Sequence, residues 1–112
     1  VAGEFVEFSP EAAGRIVDAS ERTGGRSEYD FAIEVNRNPD TADSYPIALV
    51  SYHIVCLEYE DQETVDLVKA FMTYVGSEQG QADGAAAAGS APISAEVRAE
   101  ILESIDQISV AG

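Results

Sequence analysis

Positive charge is scarce in this sequence. Arg15, Arg22, Arg26, Arg37, Lys69 and Arg98 stand against 21 acidic residues, and the formal net charge is −15. Nucleic acid demands a cationic footprint, so no DNA or RNA partner is expected. Docking on an anionic membrane surface is disfavoured on the same ground. Cysteine is nearly absent too. Cys56 has no second thiol for an internal disulfide or a zinc site. Its place in an apolar run predicts a buried, inert thiol, and a disulfide to a segment outside these residues stays open. No apolar run approaches the ~20 residues of a membrane helix. There is no Gly-x-Ser-x-Gly elbow and no phosphate loop of the Walker type, because Gly76, Gly80, Gly84 and Gly89 are too widely spaced. Val1 is not an initiator methionine and no secretory leader follows it, so a mature, processed or engineered segment is expected.

What is present suits one small α/β domain or a part of one. The length is 112 residues, and the hydrophobic content of 46% excludes a disordered tail over most of the chain. The acidity is spread along the sequence. A solvated surface that keeps the protein soluble is the preferred reading, and adaptation to salty surroundings is the alternative.

Residues 47–57 form the most apolar run. Pro46 precedes them, and proline is tolerated at a strand's first residues or on an edge. Ala48, Val50, Tyr52, Ile54 and Cys56 are apolar on one side. Ile47, Leu49, Val55 and Leu57 are apolar on the other, which Ser51 and His53 interrupt. Such a strand is normally covered on both faces. A second strand is expected over residues 30–35, where Phe31, Ile33 and Val35 alternate with Asp30, Ala32 and Glu34.

Three helices are predicted. The first starts at Ser9-Pro10-Glu11, carries Ala13, Ile16, Val17 and Ser20 on one face, and ends at Gly24-Gly25. The second is capped by Asp61, carries Val65, Val68, Phe71, Met72 and Val75, and stops at Gly76. The third is capped by Ser94, with Val97, Ile101, Ile105 and Ile108 as its buried stripe. The alanine-rich stretch 80–89 reads as a frayed helical turn or a loop. Two strands and three short helices are marginal alone, so they are expected to contribute to sheets whose other strands lie elsewhere.

No catalytic residue is assigned, and no metal ligand or cofactor. Ser51 and His53 share a strand face, but a structural pair is the preferred reading over catalysis. The acidic pairs Glu63/Asp66 and Asp40/Asp43, and the group Glu58/Glu60/Asp61, lack the spacing of a calcium loop. Tyr45, Tyr52, Tyr59 and Tyr74 are expected to pack with wet hydroxyls.

Several short marks occur in order. Gly3-Glu4-Phe5-Val6 precedes the first helix. Ser44-Tyr45-Pro46-Ile47 opens the long strand, and Lys69-Ala70-Phe71 lies in the second helix. Gly89-Ser90-Ala91-Pro92-Ile93-Ser94 leads to the last helix. Together they resemble the C-terminal third of the phosphate-binding protein of bacterial phosphate ABC importers (PstS-type). Ser90, where that family commonly has an aromatic, and the alanine-rich 81–88 depart from the pattern. The resemblance implies part of a two-lobed periplasmic-binding-protein fold of type II. Residues 1–43 would belong to the second lobe, 44–60 to a hinge-crossing strand, and 61–112 to the C-terminal part of the first lobe. It also implies inorganic phosphate as ligand of the complete receptor, a membrane permease and the remaining N-terminal part as partners, and a periplasmic or cell-surface lipoprotein location. The family's phosphate contacts come from segments preceding the matched region, so the ligand-binding residues within this chain are unknown. A small acidic protein-interaction domain is the alternative, and a phosphohydrolase-like enzyme is disfavoured for want of a nucleophile and base.

Overall fold

A computed structural model describes residues 1–112 except Gly25 and Thr41. Helix α1 spans Pro10–Asp18. Ser9 is extended before it, and its Oγ accepts from the Ala12 N–H at 3.0 Å, so one orphan donor of the first turn is satisfied. Ala12 and Ile16 face inward and are buried. The helix stops before the expected Gly24, and Gly25 lies outside the described residues. The cause is Ser20, whose hydroxyl donates back to the Ile16 carbonyl and accepts from the Asn36 N–H. A hydroxyl that competes for backbone partners in this way turns the chain out of the helix.

Strand β1 (Glu21–Arg22) then pairs antiparallel with β2 (Ile33–Glu34). The strand expected over 30–35 is therefore only two residues long. Asp30 Oδ1 accepts from the Ala32 N–H at 3.0 Å, which makes a turn where a ladder was expected.

The largest correction concerns residues 47–57, predicted as a strand buried on both faces. Among the described residues they join no ladder, and Ile47, Leu49 and Ile54 are 77%, 93% and 92% exposed. Cys56 is likewise exposed rather than buried. The physical reason is the lack of a sheet to enter. The β1/β2 ribbon is two residues deep and holds this arm by one hydrogen bond, in which Tyr52 Oη accepts from the Ile33 N–H at 3.0 Å. The root of the arm is held more firmly. Tyr45 donates its N–H to the Ala12 carbonyl at 2.8 Å, and Arg37 Nη1 donates to the carbonyls of Pro46 and Ala48 at 2.6 and 2.9 Å.

After the arm comes β3 (Glu58–Tyr59), parallel to β4 (Ser109–Val110) at the other end of the unit. Three helices connect them: α2 (Gln62–Gly76), α3 (Glu78–Ala88) and α4 (Ala95–Asp106). Asp61 caps α2 through its bond from the Thr64 N–H, and Ser94 caps α4, both as predicted. The stretch 80–89 is helical rather than loop. Ser77 ends α2 and caps α3, and Gly89 closes α3 in the left-handed region at φ 67. Alanine's high helix propensity holds this helix, since none of its residues is buried.

The core of this part is Val65, Ile105 and Ile108, with Tyr59, Val68, Met72, Ile101 and Leu102 packed around them. Ile108 is buried from just beyond α4 rather than from within it, and Phe71 of the predicted α2 stripe is exposed. The architecture is α/β, with four helices and four short strands among the described residues. It is compatible with a fragment of a periplasmic-binding-protein fold. Its accessible surface is 7609 Å². A folded monomer of 11.9 kDa exposes about 5,900 Å², so the excess is about 1,700 Å². The radius of gyration, 15.9 Å, exceeds the about 13 Å of a compact chain of this length.

Candidate functional site

Two open clefts lie among the described residues. The larger, of about 440 Å³, is bounded by the end of α2, by α3 and by His53. Tyr74 Oη donates to Asp83 Oδ2, and Gln79 Nε2 donates to Asp83 Oδ1 at 2.9 Å. The Tyr74 bond, reinforced by Gln79, holds the Asp83 carboxyl below the usual carboxylate range. The same bond pushes the Tyr74 phenol up. Gln81 bridges the cleft wall: its Nε2 donates to the Val75 carbonyl at 2.8 Å, and its Oε1 accepts from the Ile93 N–H at 3.0 Å. These polar groups satisfy one another, and the one carboxylate in the lining repels an anion.

The smaller cleft, of about 220 Å³, lies between the β1/β2 ribbon and α4. Arg22 sits 4.3 Å from the Phe31 ring centre and pairs with Glu100. Glu28 and Glu103 line the same cleft. The Tyr29 phenol is pushed up there, first by desolvation, then by its bond to Glu28 and the charges of Glu28 and Glu103. Three carboxylates around one guanidinium make a surface that disfavours phosphate.

The residues singled out in the sequence are scattered. Ser51 and His53 are both exposed, and His53 rests edge-on against Phe71 at 6.0 Å. Ser9 Oγ is used by the cap of α1. Ser94 Oγ accepts from the Val97 N–H and donates to Asp18 Oδ1 at 2.9 Å. Asp61 accepts from the N–H and hydroxyl of Thr64, and these bonds depress its pKa. Asp66 accepts from Gln62 Nε2 at 2.7 Å. Arg15 Nε donates to the Asp43 carbonyl at 2.8 Å, with the Asp43 carboxylate 3.5 Å away. No three His, Cys, Asp or Glu residues among the described ones converge as metal ligands.

Sequence reasoning missed Arg37. Its grip on the carbonyls of Pro46 and Ala48 fixes the direction in which the arm leaves the body. Asn36 and Asn38, which make a side-chain turn around it at 3.1 Å, are the only local signal. No helix of the described residues is long and apolar enough to cross a membrane.

No family model matches the chain, and no solved structure matches it. Two curated proteins do. The phosphate-binding protein PstS2 of Mycobacterium bovis (strain BCG / Pasteur 1173P2) is 29% identical over 105 residues. The phosphate-binding protein PstS 2 of Mycobacterium tuberculosis (strain ATCC 25618 / H37Rv) is 29% identical over the same length. In each case the match takes in 93% of this chain and 28% of the relative. The chain thus spans little more than a quarter of the length of the curated relatives it matches, and over that span it is distantly similar to phosphate-binding proteins.

Proposed function

We propose that these residues are the C-terminal segment of a phosphate receptor that serves an ABC importer outside the cytoplasm. The observation that carries the reading is the similarity to two phosphate-binding proteins over 93% of the chain. Residues 1–43 then belong to one lobe and 61–112 to the other, and residues 44–60 cross between them. The exposed apolar arm supports this division. An apolar strand with both edges open recruits backbone partners, and the rest of the receptor's sheet supplies them. In the complete receptor, fixed N–H and O–H donors hold dehydrated phosphate, and closure of the lobes excludes water. Those donors come from outside the 112 residues. The receptor hands phosphate to a membrane permease and does no covalent chemistry.

The test is calorimetry with inorganic phosphate on two samples, the 112-residue chain and the whole encoded polypeptide. The whole polypeptide binds phosphate and the 112-residue chain binds it weakly at best. Micromolar binding by the 112 residues alone overturns the assignment of the donors to other segments. A whole polypeptide that binds no phosphate overturns the receptor itself. It favours a small acidic protein-interaction domain that uses this half-fold to dock a partner and binds no ligand.

A further inference from the structure

Going beyond the receptor reading, we propose that the seat of α1 and the β1/β2 ribbon on α4 is a salt-gated joint, loose at low ionic strength and closed at high. Few contacts cross this boundary. Ser94 Oγ donates to Asp18 Oδ1 at 2.9 Å, and Arg22 pairs with Glu100. Gly14 faces the approach to α4, where a Cβ would stand 3.3 Å from the Pro92 carbonyl oxygen. Neither of the two buried apolar residues of α1, Ala12 and Ile16, joins the cluster of Val65, Ile105 and Ile108. The seat adds no residue to that apolar cluster, and two polar contacts cross it.

The charges around those groups do not balance. The ribbon side brings Glu28, with Arg22 as the cation, and α4 brings Glu100 and Glu103. Tyr29 between them feels both Glu28 and Glu103, so the two carboxylates face one space. Arg22 and Glu100 are each a little under half exposed, and a pair so solvated contributes little by itself. What decides the state of the joint is how far the remaining repulsion reaches. The screening length is about 30 Å at 0.01 M salt and about 3 Å at 1 M. Repulsion across the cleft is removed in that interval. The Arg22–Glu100 and Ser94–Asp18 contacts act at touching distance and are screened less. Salt therefore closes the joint instead of dissolving it.

The experiment follows the 112-residue chain from 0.01 to 1 M sodium chloride by small-angle scattering and amide exchange. The radius of gyration falls with salt, and α1 amides gain at least tenfold protection. Core amides of α2 and α4 keep theirs. Glu28→Gln with Glu103→Gln closes the joint already at 0.01 M, and Arg22→Gln moves closure to higher salt. A control pair, Glu4→Gln with Glu7→Gln, removes the same charge at the exposed N-terminal end and leaves the salt response unchanged. Three results overturn the proposal. One is loss of protection in α1 and α4 together, which means that salt acts on the whole fold. The second is a control pair that shifts the response as much as the joint variants. The third is no salt response in the wild type.

Discussion

From β3 to β4, Val65, Ile105 and Ile108 bury one another inside a shell of five further apolar side chains. Before β3, Ala12, Ile16 and Pro39 are the buried apolar residues among the described ones, and single polar ties add to them. Arg15 holds Asp43, Arg37 holds Pro46 and Ala48, and Ser20 holds Asn36. The comparison teaches that one chain can contain both a nearly self-sufficient unit and a scaffold awaiting a partner. Burial of apolar area is cooperative and hard to remove piecemeal, whereas a hydrogen bond exposed to water adds only a modest net amount.

The sharpest way to break the comparison is in the core. Ile105→Ala should cost about 2–5 kcal/mol, read by urea denaturation, because the cavity opens against Val65 and Ile108. If the two regions are as different as described, far-UV signal from α2 and α4 collapses with it. A loss under 1 kcal/mol would show that the cluster is not what holds this half.

Gly80→Ala comes next. A Cβ there collides with the Tyr74 carbonyl, which is backbone and cannot swing aside. The substitution should cost about 1–3 kcal/mol by overpacking and expose the α2–α3 junction to proteolysis. An unchanged cleavage pattern and midpoint would contradict the packing of that corner.

Arg37→Ala tests the other region. It should cost only about 0.5–1 kcal/mol, since the two bonds it removes are solvent-exposed. Its mark is local: faster amide exchange at Tyr45, whose N–H ties the root of the arm to Ala12, with α2 and α4 unaffected. Slower exchange, or an effect spread over α4, would erase the distinction between the halves.

The smallest effect is in acid. The folded pKa of Asp61 is depressed, chiefly by the Thr64 N–H. Its contribution is therefore present above the unfolded carboxylate value and lost as pH falls through the lower folded one. Asp61→Asn keeps a capping oxygen but cannot titrate. Its acid titration by circular dichroism should be shallower at the α2 end than the wild type's, and an identical curve would remove Asp61 from the account.

Much of the helical part was legible because its signals are local. Ser9, Asp61 and Ser94 cap the helices they were expected to cap, and Val65, Ile101 and Ile105 fall on core faces. The helical alternative for the alanine-rich stretch holds, but the full length of α3 was not legible, because four alanines carry propensity without an apolar stripe. The strand over 47–57 was misjudged for a different reason. Strand propensity states what a residue does when a neighbour is present, and no local feature supplies the neighbour. The clefts were illegible for the same reason: Tyr74 meets Asp83, and Arg22 meets Glu100, through contacts that only folding creates.

The pairing of β3 with β4 also sets a clock. Glu58 lies opposite Ser109, and Ile108 completes the core from the same end. On a ribosome adding about 5–20 residues per second, about 3–10 s separate the making of one strand from the making of its mate. Once the arm leaves the exit tunnel it is apolar and without a ladder, and it does so before β4 emerges. Halted chains that carry a spacer long enough to clear the tunnel, and that end before or after residue 110, should therefore differ in how well β3 and the α2/α4 core resist proteolysis, while the arm stays open to a chaperone in both.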